Sequence, residues 1–206
     1  PYGASKSSAD IAISSYYHSY FSKKNSKVLI SIARAGNVIG GGDWSENRLI
    51  PDCIKSIQNK KKLTVRFPNS TRPWQHVLEA LYGYMCLAIK QKKKKKINGN
   101  AFNFGPNNKS SITVLDLLKK MRKKWKIIDW KVLNNKKGEY ESKLLKLNSS
   151  KIYKFIRWKC FLSADQTLDM VINWYKIYLT DRKINMYDYS VNQIKDFEKI
   201  IKKKLN

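Results

Sequence analysis

Tyr2 and Lys6 stand four positions apart, so on a helix a phenol able to take up a proton and an ammonium able to favour its charged form share one face. The spacing alone does not single the pair out. With 12 Tyr and 35 Lys in 206 residues, about two such pairs arise by chance, and two occur, the other being Tyr20 with Lys24. A second candidate chemistry lies in the arginines. Only 7 of the 42 basic residues are Arg, yet Arg34, Arg48, Arg66 and Arg72 fall within 39 residues. In a chain that otherwise drifts to Lys, a guanidinium persists where its planar fork must grip phosphate or carboxylate in a bidentate way. The cluster points to a phosphorylated small ligand, with ion pairs to Asp43, Asp52 or Glu79 as the structural alternative. Cys53, Cys86 and Cys160 lack any C-x-x-C spacing, and His18 and His76 have no companion at ligand spacing. No metal centre is expected, and the thiols are expected to be reduced and buried in a cytoplasmic protein.

The elements that must position these groups alternate between helix and strand. Residues 3–22 carry Ile11, Ile13, Tyr16, Tyr17 and Tyr20 with no Pro and no Gly after Gly3, which predicts a helix. Val28 to Ala33 is short and β-branched, the pattern of a buried parallel strand. Gly40-Gly41-Gly42-Asp43 then signals a loop beyond that strand's C-terminal end, where open parallel sheets bind their ligands. The triplet lacks Gly-Lys-Ser/Thr and reads as a pocket-lining turn, not a phosphate loop. Further helices are predicted at Leu49 to Gln58, Gln75 to Gln91, Val114 to Trp125 with a cap at Ser110 or Ser111, and about 149–157, 164–180 and 188–204. Strands are predicted at Leu63 to Phe67, Ala101 to Gly105, near Ile127 to Val132 and near Lys143 to Leu147. The last helix is basic and amphipathic and reads as a surface appendage. Trp74 and His76 read as packing residues and Glu79 as structural.

The chain is 42% hydrophobic and 28% charged, too apolar for a disordered tail and sufficient for a buried core. No run approaches the ~18–20 apolar residues that a membrane span requires. A net charge of +27 raises nucleic acid as a partner, because Lys and Arg that neutralise phosphates release counterions. The lysines, however, sit in runs such as Lys60 to Lys62, Lys92 to Lys96 and Lys202 to Lys204, in a sequence biased to Lys, Asn and Ile throughout. Such runs read as solvated loops and tails, which argues against nucleic acid.

Context separates the two Tyr-x-x-x-Lys pairs. Pro1-Tyr2-Gly3-Ala4-Ser5-Lys6 resembles the catalytic helix of the extended short-chain dehydrogenase/reductase family. Four further blocks, in order, are similar to the CDP-glucose 4,6-dehydratases of that family. They are Arg34-Ala35-Gly36-Asn37-Val38-Ile39-Gly40-Gly41-Gly42-Asp43-Trp44, Arg48-Leu49-Ile50-Pro51-Asp52, Arg72-Pro73-Trp74-Gln75-His76-Val77-Leu78-Glu79 and Phe102-Asn103-Phe104-Gly105-Pro106. The resemblance runs to about Tyr175. It implies an α/β fold, the C-terminal part of a Rossmann-type enzyme with a smaller α/β substrate domain. Residues 1–35 would be the remnant of the NAD-binding domain, 36–182 mainly the sugar-nucleotide substrate-binding part, and 183–206 a basic helical tail. NAD as cofactor, CDP-glucose or a related sugar nucleotide as substrate, and a homodimer at full length are implied with it.

The implied reaction oxidises C4 of the glucosyl unit, eliminates water across C5 and C6 and returns the hydride to C6, giving CDP-4-keto-6-deoxyglucose. Tyr2 would be the base that takes the C4 hydroxyl proton. A phenol of ordinary pKa about 10 does so near neutral pH only where cations favour its phenolate. Lys6 would supply one and hold the nicotinamide ribose hydroxyls. By the same resemblance Asn37 contacts the sugar nucleotide, Arg48 and Leu49 line the nucleotide pocket, Arg72 grips the diphosphate and Arg66 is a second phosphate ligand. The sequence has no G-x-G-x-x-G. The resemblance therefore places that turn, and the acid and base of water elimination, upstream of Pro1, and this piece is expected to be inactive alone. The alternatives are another sugar-nucleotide epimerase or decarboxylase of the same fold, or a basic protein that binds nucleic acid or anionic surfaces.

Overall fold

In the computed structural model, which describes residues 1–23, 25–106, 112–133 and 145–205, helix and strand alternate as the hydrophobic spacing predicts. Helix α1 (Tyr2–Tyr16) runs into a π-helical turn (Tyr17–Phe21), followed by β1 (Ile32–Ala35) and β2 (Asn37–Ile39). Next come α2 (Leu49–Gln58), β3 (Leu63–Val65), β4 (Thr71–Arg72), β5 (Trp74–His76) and α3 (Val77–Lys93). The second half holds β6 (Ala101–Phe104), β7 (Ile112–Thr113), α4 (Val114–Lys124), β8 (Trp130–Val132), α5 (Ser150–Ile156), α6 (Ala164–Thr180) and α7 (Met186–Leu205).

Three strand pairs are parallel: β1 with β6, β2 with β5, and β3 with β8. Only β4 with β7 is antiparallel among the described residues. Parallel neighbours need a crossover: between β2 and β5 the chain runs through α2, β3 and β4, and between β1 and β6 it runs through these and α3. Between β1 and β2 the chain passes from one pair to the next at Gly36. A Cβ there would stand 2.9 Å from Pro73 Cγ, so the backbones of these two segments meet only because residue 36 has no side chain.

The largest core cluster is built by the apolar faces of α2, α4 and α6: Cys53 and Ile54, Leu118 and Met121, Val171 and Tyr175. A second cluster places Leu87 of α3 against Phe102 and Phe104 of β6 and Ile152 of α5. Helix starts are fixed locally. Asp116 N–H donates to Thr113 Oγ1 at 3.0 Å ahead of α4, and Ser163 with Gln166 forms a capping box at α6.

Several expectations are corrected. The strand predicted over Val28 to Ala33 begins at Ile32 and is half-buried, because its partner β6 begins only at Ala101. The backbone just before it is used otherwise: Ile30 N–H donates to Asn98 Oδ1 at 2.7 Å. The helix predicted from Gln75 starts at Val77, since Trp74–His76 pairs with β2. The cap of α4 is Thr113; Ser110 and Ser111 lie outside the described residues, as do Lys24, Lys143 and Leu144. Residues 145–149 form no strand. Cys53 is buried, whereas Cys86 and Cys160 are only partly so. The tail helix is no appendage: Phe197 and Ile201 of α7 are buried with Phe161, against Leu78 and Tyr82 of α3. No described helix is long and apolar enough to cross a membrane.

Candidate active site

The parallel pair β1 and β6 ends at Ala35 and Phe104, and Gly36 N–H reaches Phe104 O at 3.3 Å. Just beyond lie Asn37 and Gly105, at the C-terminal ends where open parallel sheets place their ligands. Asn37 is opposite Trp74 in the β2–β5 register. Arg72, two residues before Trp74, is therefore brought to the same end. It is only 8% exposed, and its Nη1 donates to Thr71 O at 2.9 Å. A guanidinium held this deep is oriented by the fold rather than by solvent.

Arg48 sits at the N-cap position of α2. Its Nη1 lies 3.3 Å from Asp43 Oδ2, and Asp43 Oδ1 accepts from Ser45 N–H at 3.0 Å. Burial pushes the Asp43 carboxyl up, but the Ser45 hydrogen bonds and the Arg48 charge outweigh it and leave the group below its ordinary 3.8. Leu49 is half-buried against the largest core cluster. Arg66 is exposed and its charge acts on Asp52 of α2, whose carboxyl is raised by burial against the opposing pull of Lys55 and Arg66. Arg34 serves differently: it pairs with Asp10 at 2.5 Å and ties β1 to α1. The ion-pair alternative thus describes Arg34, through a carboxylate that the spacing did not suggest, and part of Arg48.

Tyr2 and Lys6 occupy the first turns of α1, with Lys6 Nζ 5.7 Å from the Tyr2 ring centroid. Tyr2 is 78% exposed and α1 buries no residue. The two share a face as their spacing requires. Neither side chain makes a hydrogen bond among the described residues.

The loop between these groups is pinned from α6. Tyr175 Oη accepts from Asp43 N–H at 3.0 Å and donates to Asp43 O at 2.7 Å. The Trp174 ring lies flat on Gly41, where an added Cβ would stand 2.1 Å from Cγ of the indole. Gly41→Ala should therefore force ring and loop apart and cost about 1–3 kcal/mol of stability. Thermal unfolding checks this; an unchanged midpoint would mean that the indole has room to move.

A cleft of about 560 Å³ opens between β5, Gly105-Pro106, the segment Leu147 to Ser150 and the loop Trp158 to Leu162. None of Tyr2, Lys6, Asn37, Arg48, Leu49, Arg66 and Arg72 lines it. Its wall is structural. Gln75 Nε2 donates to Phe104 O at 2.8 Å, and Glu79, 1% exposed, accepts from Phe161 N–H at 2.7 Å and Leu162 N–H at 2.6 Å. Sequence reasoning missed Gln75 and Tyr175. The first was hidden inside a segment read as helix, and the second is tied to its loop across 132 residues.

Burial raises Glu79 to about 7 from 4.5, against the pull of the two N–H donors and Lys204. It lowers His76 to about 4 from 6.5, where Nδ1 caps α3 by accepting from Leu78 N–H at 3.3 Å. Between pH 4.5 and 6.5 the folded chain therefore holds one proton more than the unfolded at Glu79 and one fewer at His76. The two slopes cancel. Glu79→Gln removes one of them, so stability should fall by roughly 1.4 kcal/mol per pH unit on acidification from 6.5 towards 4. Urea unfolding at stepped pH reads this directly, and a flat profile in the variant would place His76 in ordinary surroundings.

No family model matches the chain. Over 96% of its length it is 34% identical to the CDP-glucose 4,6-dehydratase of Salmonella typhimurium, of which it covers 55%. The solved UDP-glucuronic acid 4-epimerase of Bacillus cereus, in complex with UDP-glucuronic acid and NAD, matches with a TM-score of 0.69 at 22% identity, over 86% of this chain and 53% of that one. The dTDP-glucose 4,6-dehydratase of Bacillus anthracis, in complex with NAD, matches with a TM-score of 0.66 at 22% identity, over 85% and 52%. The chain spans about half the length of the relatives it matches.

Proposed function

The chain is similar along nearly its whole length to a CDP-glucose 4,6-dehydratase and has the Rossmann-type α/β fold of the sugar-nucleotide epimerases and dehydratases, and from that premise we propose that it supplies the substrate-binding residues and the tyrosine base of a CDP-glucose 4,6-dehydratase. The observation that carries this reading is that Asn37 follows the C-terminal end of the parallel β1–β6 pair while buried Arg72 lies two residues before Trp74, the register partner of Asn37.

In this reading Arg72 brings a buried guanidinium to the diphosphate. Arg48 and Leu49 border the nucleotide, one by charge and one by apolar contact. Arg66 adds a second cation for phosphate, and Asn37 hydrogen-bonds the sugar nucleotide. Tyr2 removes the proton from the C4 hydroxyl, and Lys6 one turn away favours the phenolate that does so. The new C4 ketone acidifies the C5 proton and allows the C6 hydroxyl to leave as water.

The adjacent, exposed Tyr2 and Lys6 suit the nicotinamide ribose end of NAD. The pyrophosphate end calls for a glycine-rich turn that none of the 9 glycines in this chain provides. Tyr2 and Lys6 would hold the ribose end, and NAD when bound would supply the hydride acceptor for C4 and the hydride returned to C6. Residues 1–35 go with the cofactor side and 36–182 mainly with the substrate side, and the homodimer and the cytoplasm are part of the same proposal.

Incubation of a protein that carries this chain together with the glycine-rich NAD turn, with NAD and CDP-glucose deuterated at C4, tests the chemistry. The expected product is lighter than substrate by one water and carries deuterium at C6. An isomer of unchanged mass would instead indicate an epimerase. Calorimetric titration with CDP-glucose tests the substrate side without turnover, and an absence of binding would sink the reading.

A further inference from the structure

Arg48 has its side chain 63% exposed, so packing does not fix where its guanidinium points. Its position is set by Asp43, and Asp43 is set from another element. We propose that Tyr175 is a positioning residue for Arg48 in nucleotide binding, a role that rests on the reading of Arg48 given above. The geometry is specific. The buried hydroxyl of Tyr175 takes both backbone polar groups of one residue, at 3.0 Å from Asp43 N and 2.7 Å from Asp43 O. That residue is the one whose carboxylate lies 3.3 Å from Arg48 Nη1.

The surroundings stiffen the same path. Trp44 packs edge-on to Tyr175 at 5.4 Å and meets Tyr178 at 5.1 Å. Trp174 stacks on Tyr178 at 5.5 Å with 12° between the rings, and its Nε1 donates to Ser190 Oγ of α7 at 2.9 Å. Without these contacts the loop would be soft, since Gly42 adopts φ +77° and two glycines precede it. Burial raises the Tyr175 phenol to about 12, so the hydroxyl keeps the proton that it donates to Asp43 O throughout the neutral range.

The test is a double-mutant cycle on CDP-glucose affinity, measured by calorimetry, with Tyr175→Phe and Arg48→Ala singly and together. Tyr175→Phe keeps the ring in the core and should weaken affinity about 3- to 10-fold. In the Arg48→Ala background it should cost nothing further. An equal loss in both backgrounds, or none in either, would overturn the positioning role. If the unsubstituted chain binds CDP-glucose but Arg48→Ala does not weaken it, the reading of Arg48 fails, and the proposal with it. Hydrogen exchange without ligand separates the two levels, because Tyr175→Phe should speed exchange across residues 41–49 and leave α4 unchanged. Unchanged exchange there would refute the anchor itself.

Discussion

In a protein that carries this chain together with the glycine-rich NAD turn, Tyr2→Phe is expected to lower CDP-glucose turnover with NAD by roughly 10²–10⁴-fold while leaving CDP-glucose affinity within about twofold. The substitution removes one oxygen from a side chain that is 78% exposed, so it takes nothing from the core. In the proposed reaction it removes the group that accepts the C4 hydroxyl proton, and a positioned base contributes to the rate in that range. Affinity would be spared because the residues proposed to hold the substrate, 37 to 72, lie on other elements. Single-turnover rates and calorimetry on the same preparation separate the two quantities. Turnover within a few-fold of the parent would move the base to another residue.

Arg72→Ala should weaken CDP-glucose binding by about 10- to 150-fold, the loss of roughly 1.5–3 kcal/mol that attends removal of a charged hydrogen-bonding partner. Lys94→Ala should leave the affinity unchanged, although Lys94 Nζ donates to Phe155 O at 3.0 Å. The contrast follows from burial and shape. Arg72 is 8% exposed and carries a fork, whereas Lys94 is a point charge in a solvated run. Arg72→Lys keeps the charge and loses the fork, and it should recover only part of the affinity. Equal effects at residues 72 and 94, with binding that falls steeply with salt, would favour a general polyanion binder. Because Arg72 is buried, each variant is compared at a temperature well below its own unfolding midpoint.

Local signals made much of the fold legible. The apolar spacing of Leu49–Gln58 and of Ala164–Thr180 marks helices whose ends match those observed, because each buries one face and is punctuated by its own sequence. Elements defined by a distant partner were not legible. Trp74–His76 is three residues long and is a strand only because Asn37–Ile39 lies beside it. Ile32 opens β1 because Ala101 opens β6.

The site divides the same way. Tyr2, Lys6, Asn37 and Arg72 lie in motifs that can be read in order along the chain. Arg34 was drawn into the arginine cluster by its residue type, yet it is engaged by Asp10, a pairing no spacing rule announces. Tyr175, the anchor of the glycine loop, was read only as part of a closing helix, since its partner is 132 positions earlier.

The docking of α7 has a consequence for how the chain is made. Leu78 and Tyr82 of α3 pack against Phe161, Phe197 and Ile201, and Lys204 Nζ closes on Phe161 O at 2.5 Å. The ribosome adds residues at about 5–20 per second, so α3 waits on the order of ten seconds for the partners that cover it. Until Lys204 has emerged, the Phe161 backbone that holds Glu79 lacks this tether. A chaperone that shields nascent apolar helices would therefore find α3 exposed until α7 is made, and a chain cut short before Phe197 would leave that face uncovered.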